Sequence, residues 1–359
     1  MLKILDRYII RKFLFTFFFM LGVIMMLAMV FDLSERLSEF IENQASIPAI
    51  IFGYYLNFIV YYGNLFSPMI IFISVIWFTA KLAQDTEIIP MLNSGRPFTR
   101  FIRPYMIAAT FLTIVTLVMN HFILPLSNQS RLDFEEKYYR DAIEVDDYHA
   151  EFPGNQVVYF TSYSAENGIV NDLVIENWSP NNDTMIHFLK ARSAVFKEDI
   201  KKWELQNYYE RIHGYPNDRI VEGLKKDTVF DFVLADVAQR ENVSETMTYY
   251  QLKDFIRREK AKGSPFVKNH EIVFYKRTAM PFATYILTII GVSVSSRKKR
   301  GGIGMNIAIG LGIIFVFIFT MQVADVAAMN VGFPPYIAVW VPNLVFSVIA
   351  YFMYKSAQK

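Results

Sequence analysis

The sequence predicts an α+β membrane protein: six transmembrane helices, with an extracytoplasmic β-domain of jelly-roll-like kind inserted between the third and the fourth. Three observations predict it. Of the 359 residues 53% are hydrophobic and only 19% charged, a balance poorer in charge than most soluble proteins carry. Those charges are crowded into the middle of the chain, while both ends read as apolar runs of bilayer length. The polar middle, in turn, carries short strand-like runs, a hairpin signal and, from Trp203, the period-two alternation that marks a half-buried strand.

Phe13 to Phe31 is the first charge-free run, and its basic lead of Lys3, Arg7, Arg11 and Lys12 is followed by no small-residue cleavage site, so it is expected to stay as an anchor. Ala49 to Ala80 is uncharged over more than one crossing, so the second helix must tilt, bend or project; Gly63 and Pro68 favour a bend near 64–68. A third run covers Pro104 to Pro125. After the polar middle come Thr278 to Ser296 and then Gly301 to Tyr354, which Gly332-Phe333-Pro334-Pro335 divides into the fifth and sixth helices. The resulting parts are 1–125, 126–270 and 271–359.

Lys and Arg in short loops set the orientation. One side receives the four basic residues of 1–12, then Lys81, Arg96, Arg100 and Arg103, then Arg297-Lys298-Lys299-Arg300, then Lys355 and Lys359. The other side offers only Arg36 among Asp32, Glu35, Glu39 and Glu42, and nothing basic between Asn330 and Pro335. Both termini are therefore expected in the cytoplasm and 126–270 outside.

In that outer domain Gln156 to Tyr163 and Ile169 to Trp178 flank Asn167-Gly168, a hairpin signal. Met185 to Phe196 and Trp203 to Ile212 follow, separated by a charged turn, and Trp203-x-Leu205-x-Asn207 alternates; a sandwich or jelly-roll is expected. Thr248 to Lys260 reads as an amphipathic helix with Leu252, Phe255 and Ile256 on its apolar face, Thr248 and Gln251 as a capping box and Met247 stapled to Leu252. Without cysteine, no disulfide or thiolate site is possible.

Several classes are excluded. A formal net charge of +2 gives no reason to expect a nucleic-acid partner. The chain contains no phosphate loop, HExxH or GxSxG, so no catalytic group, metal ligand or cofactor is expected in it. His121 reads as an interfacial polar residue, and the Asn-x-Ser/Thr triplets at Asn128, Asn182 and Asn242 are weak signals. Asp325 is the sole charge of the fifth helix, either functional or reaching the interface. Tyr54, Tyr55, Tyr61 and Tyr62 suit an acyl-chain cavity or a lipid-facing belt equally.

Lys81 to Arg103 reads as a short helix between two spans: Pro90 fits only its first turn, so it starts near an exposed Glu87, and Ser94-Gly95 end it. It is either a plain turn with positive-inside charges or a docking helix for a cytoplasmic partner.

Motifs spread over nearly the full length carry a resemblance. They are Leu5-Asp6-Arg7-Tyr8-Ile9, Asp85-Thr86-Glu87 with Ser94-Gly95, Trp203-x-Leu205, Tyr249 to Gly263, Lys276-Arg277-Thr278-Ala279-Met280-Pro281 and Gly332-Phe333-Pro334-Pro335. In this order they resemble the LptF/LptG family, permease subunits of the ABC exporter that extracts lipopolysaccharide from the bacterial inner membrane, with the first motif leaning towards the LptG side.

The resemblance implies an ATP-binding cytoplasmic ATPase dimer, a second LptF/LptG-type permease and a periplasmic bridge protein as partners, with lipopolysaccharide as cargo in a membrane-lipid environment. It implies that Glu87, Ile88, Met91, Leu92, Ser94 and Gly95 couple to the ATPase, and that the first and fifth helices form lateral gates. Family members often carry several basic residues at the outer end of the first helix. Here only Arg36 stands there among acids, so Lys276 or Arg277 of the fourth span, or the partner permease, is expected to supply the charge that meets lipid phosphates; Arg36, Lys276, Arg277 and Asp325 are the candidate substrate residues. Rival readings are a permease of another ABC lipid or drug exporter and a membrane-anchored periplasmic enzyme. A macrolide-exporter-like permease places its domain after the first of four spans, and an enzyme needs converging acid, base or metal groups in 126–270.

Overall fold

The computed structural model describes residues 3–93, 97–140, 144–152, 154–164, 168–181, 183–197, 202–230, 241–264, 266–297 and 301–358. Six helices are long and apolar enough to cross a membrane: Ile4–Glu42, Ala49–Gln84, Phe98–Tyr138, Val267–Ser295, Gly302–Asn330 and Pro335–Ala357. They are called the first to sixth spans below. The chain divides into two compact units, one of residues 1–139, 245–250 and 268–359, the other of 140–244 and 251–267.

The first span has 39 residues, which at about 1.5 Å each is about twice the thickness of a hydrocarbon core. Asp6 starts it by accepting the Lys3 backbone N–H at 2.9 Å. Asp6, Ile9, Phe13 and Phe17 form one buried stripe, packed with Phe78, Leu82, Ile88, Phe101 and Tyr105; after Phe17 only Met25 and Phe40 of this span are buried.

The second span opens with a π-helical stretch, Ala49–Tyr55, and continues as Leu56–Gln84 through a buried Pro68. It ends in a Schellman turn. The Glu87 N–H donates to Leu82 O at 2.9 Å and the Thr86 N–H to Ala83 O at 3.2 Å, with Thr86 left-handed at φ 58°. The third span outruns its apolar stretch. A π-helical segment, Met119–Ile123, joins Phe98–Val118 to Leu124–Tyr138, whose Pro125 sits where a first turn tolerates proline. Gly291 of the fourth span lies against the second span, where a Cβ would meet Val75 Cγ1 at 3.0 Å. Gly332, at φ 81°, separates the fifth and sixth spans at the expected break.

The second unit holds six antiparallel strands: β1 Glu144–Phe152, β2 Gln156–Ser164, β3 Ile169–Trp178, β4 Met185–Lys197, β5 Lys202–Ile212 and β6 Arg219–Thr228. Each pairs with its sequence neighbour, so the described strands make one meander rather than the crossed connections of two Greek keys. The meander is creased. Ladder pairing skips Asp147, Thr161, Asp172, Arg192, Asn207 and Leu224, which lie opposite one another across all six strands. All six are exposed, and Asp147, Asp172 and Asn207 have φ of 49°, 50° and 50°.

Across this row the inward face changes parity. Val170 is inside before Asp172 and Leu173 and Ile175 after it; Leu189 and Ala191 precede Arg192 and Ala194 follows. One inserted residue per strand thus lets a single meander keep one continuous apolar cluster on both sides of the crease, with Phe160, Trp203 and Leu205 in it. Trp203 and Leu205 point inward as expected, whereas Asn207 does not, because the crease intervenes. Of the expected hairpin turn, Gly168 is left-handed at φ 60° and Asn167 lies outside the described residues.

On β5, Glu204 accepts from Lys197 at 2.5 Å, lies 3.2 Å from Lys225 and accepts from Gln206, and these contacts hold its carboxyl at about 2. Burial works to raise the Glu210 carboxyl, but bonds from Lys226 at 2.5 Å and His187 at 2.8 Å leave it lowered. The closing helix, Tyr249–Ala261, belongs to this unit from Gln251 onward and buries the expected Leu252, Phe255 and Ile256. Lys262, just beyond it, lies 5.3 Å from the centre of the Phe152 ring of β1.

Candidate functional site

The loop between the second and third spans contains the short helix Ile88–Asn93. Ile88 is buried in the same cluster as Ile9 and Phe13, Met91 packs on that cluster, and Ile89 and Pro90 are exposed. Ser94, Gly95 and the side chain of Leu92 lie outside the described residues.

Glu87 stands before this helix, half-exposed but not free. Tyr8 of the first span donates to Glu87 Oε2 at 2.9 Å, and Lys12, which donates to the Tyr8 hydroxyl at 2.6 Å, comes within 4.0 Å of Glu87 Oε1. At the other end of the loop, Arg100 reaches Asp6 with both terminal nitrogens, at 2.7 and 2.8 Å. Asp6 is 3% exposed, so this fork satisfies a carboxylate removed from water.

A second polar cluster surrounds a cavity of about 190 Å³ bordered by Tyr61, Asn64, Asn120, Lys276, Arg277 and Met321 among others. The π-helical segment of the third span positions Asn120, which accepts from Asn64 at 2.6 Å and donates to the Arg277 carbonyl at 2.9 Å. Arg277 is buried and donates to Met247 O at 2.7 Å; Lys276 is paired with Asp325 across the fourth and fifth spans. Three of the four sequence-selected substrate residues, Lys276, Arg277 and Asp325, therefore gather here.

Arg36 belongs to another setting. It lies 3.4 Å from Asp32 and 3.5 Å from Glu39 and stacks 4.0 Å from the centre of the Tyr139 ring. Asp32 also accepts from Tyr54 at 3.1 Å and Tyr55 at 3.3 Å, so these tyrosines join an internal network of the spans.

Arg131, and Asp6 with its partner Arg100, were not singled out as site residues from sequence. Arg131 is buried against Glu135, accepted by Asn128 at 2.8 Å and stacked 4.5 Å from the Tyr61 ring centre. Asn128, 0% exposed, is thereby a structural amide and not a modification acceptor; Asn182 lies outside the described residues. His121 accepts from or donates to Thr278 Oγ1 at 3.3 Å. Asp6 carried a signal: it is the acid on the apolar stripe 6, 9, 13, 17, and a buried acid demands a partner. Among the described residues no group of three or more His, Asp or Glu is placed to hold a metal.

A sequence profile of the family described as "Lipopolysaccharide export system permease LptF/LptG" matches residues 7–356. Comparison with curated proteins gave no match.

Proposed function

The chain belongs to the LptF/LptG family of lipopolysaccharide export system permeases, and on that premise we propose that it is one half of a two-permease ABC exporter taking lipopolysaccharide out of the inner membrane. The carrying observation is that the match runs from residue 7 to residue 356, through both sets of three spans and the inserted domain. This chain moves lipid and breaks no bond; a cytoplasmic ATPase dimer supplies the energy.

Both termini face the cytoplasm and 126–270 the periplasm, where the creased sheet hands lipid to a bridge protein. Glu87, Ile88, Met91, Leu92, Ser94 and Gly95 seat the ATPase. Support comes from the loop helix, which buries Ile88 while leaving Ile89 and Pro90 exposed to a partner. Lys276 and Arg277 meet lipid phosphates beside the cavity, and a phosphate would compete with Asp325 for Lys276. Arg36, neutralised by Asp32 and Glu39, contributes a weaker charge at the outer end of the first span. Purification in mild detergent, with bound subunits and lipid identified by mass spectrometry, tests the reading. An ATPase, a second permease and lipopolysaccharide are expected; recovery of none of them overturns it.

A further inference from the structure

We infer that Tyr8 and the Asp6–Arg100 pair are positioning residues that pass displacement of the loop helix Ile88–Asn93 to the first span, an inference that rests on the reading just proposed. Both ends of the loop are fastened to the same helix. Glu87, immediately before the loop helix, is bonded to Tyr8 at 2.9 Å; Arg100, in the first turn of the third span, is bonded twice to Asp6. Asp6 and Tyr8 lie within one turn of each other, so the two fastenings grip one short length of the first span. Between them, buried Ile88 fills the cluster that holds Ile9 and Phe13, which stops the loop helix sliding independently.

The middle of that span is held much less. Phe15, Phe19, Met26, Val30 and Phe31 are exposed, and a Cβ on Gly22 would meet nothing within 4 Å. A stiff helix gripped at its inner end and lightly packed through its middle carries motion of the clamp towards the outer tie that Asp32, Arg36 and Phe40 make with Tyr54, Tyr55 and Tyr139. Lys12 adds charge at the same point without replacing the directional hydroxyl, since it stands 4.0 Å from Glu87.

The test uses the full complex with its ATPase and second permease in proteoliposomes containing lipopolysaccharide, reading lipid released per ATP hydrolysed. Tyr8→Phe removes one oxygen and keeps the ring; it is expected to lower the ratio about fivefold or more, the range of ordinary site-to-site coupling, while ATP turnover continues. Asp6→Arg and Arg100→Asp alone should each do the same, and the double exchange should restore the ratio, which simple loss of folding would not produce. A spin label at Gly22 should shift with nucleotide in the unaltered complex and stay still in Tyr8→Phe. An unchanged ratio in Tyr8→Phe and both single charge variants overturns the linkage alone. Failure of the unaltered complex to release lipid with ATP overturns the proposed function and the linkage with it.

Discussion

Lys276 of the fourth span and Asp325 of the fifth form an ion pair, with the carboxylate nearly buried and the ammonium about a third accessible. Two charges that the sequence presents as unrelated oddities are thus one unit. Removing only Lys276 leaves an uncompensated carboxylate among apolar helices, so Lys276→Met should lower stability by about 2 kcal/mol, reduced from the fully buried case by the exposure of Lys276. Lys276→Met with Asp325→Leu should recover most of it. Thermal unfolding of the detergent-solubilised chain, arranged as a double-mutant cycle, measures the coupling; additive losses would disprove it.

Glu87→Arg should leave the membrane fold intact and uncouple ATP turnover from lipid release. It replaces the acceptor of the Tyr8 hydroxyl by a second cation beside Lys12. Reconstituted ATPase and transport assays run side by side check this, and normal export by the variant would exclude a coupling role for the residue.

The sheet should lose stability in acid through Glu204. Its carboxyl is lowered from 4.5 to about 2 by its lysine and glutamine contacts, so its stabilisation is fully present above about pH 4.5 and disappears as pH falls towards 2. Trp203, its buried neighbour, reports the change by fluorescence. Glu204→Gln should flatten the acid limb between those values; an unaltered limb would refute the assignment.

Asn207 tests the crease. Its left-handed backbone suits asparagine or glycine and opposes β-branched residues. Asn207→Val should cost about 1–2 kcal/mol and Asn207→Gly should be neutral or stabilising, compared by melting temperature. Equal stability of the two would mean that the row carries no backbone demand.

Gly291→Leu should loosen the contact between the fourth and second spans by about 1–3 kcal/mol, because its first added carbon already reaches Val75 at 3.0 Å. Val75→Ala in the same chain should return part of the loss. A variant as stable as the parent in thermal unfolding would show that the helices can separate freely.

All six spans were legible because hydrophobic length is a property of local sequence. Their ends were not. Leu124–Tyr138 and the early turns of Val267–Ser295 are helical but polar, so hydropathy ends before the helix does. β2 and β3 were read from the Asn167-Gly168 turn between them, and β4 and β5 from the charged turn between them and the alternation that starts at Trp203, whereas β1 begins Glu-Val-Asp-Asp and β6 carries Lys225-Lys226, and neither looks like a half-buried strand. The crease was hidden for the same reason: an inserted residue in each strand breaks the period from which strands are recognised.

Of the site, the loop helix was legible through Pro90 and its flanks. The pairing of Arg36 with Asp32 and Glu39 sits at helical spacing and was readable in principle. The bond from Tyr8 to Glu87 joins residues 79 apart in sequence, and no local rule indicates it.

Thr86 carries one more consequence. A β-branched residue held left-handed is disfavoured by about 1–2 kcal/mol, yet it leaves that turn few alternative conformations, where glycine would leave many. The junction between the second span and the loop helix is therefore a stiff elbow and not a swivel, with little slack between the two helices.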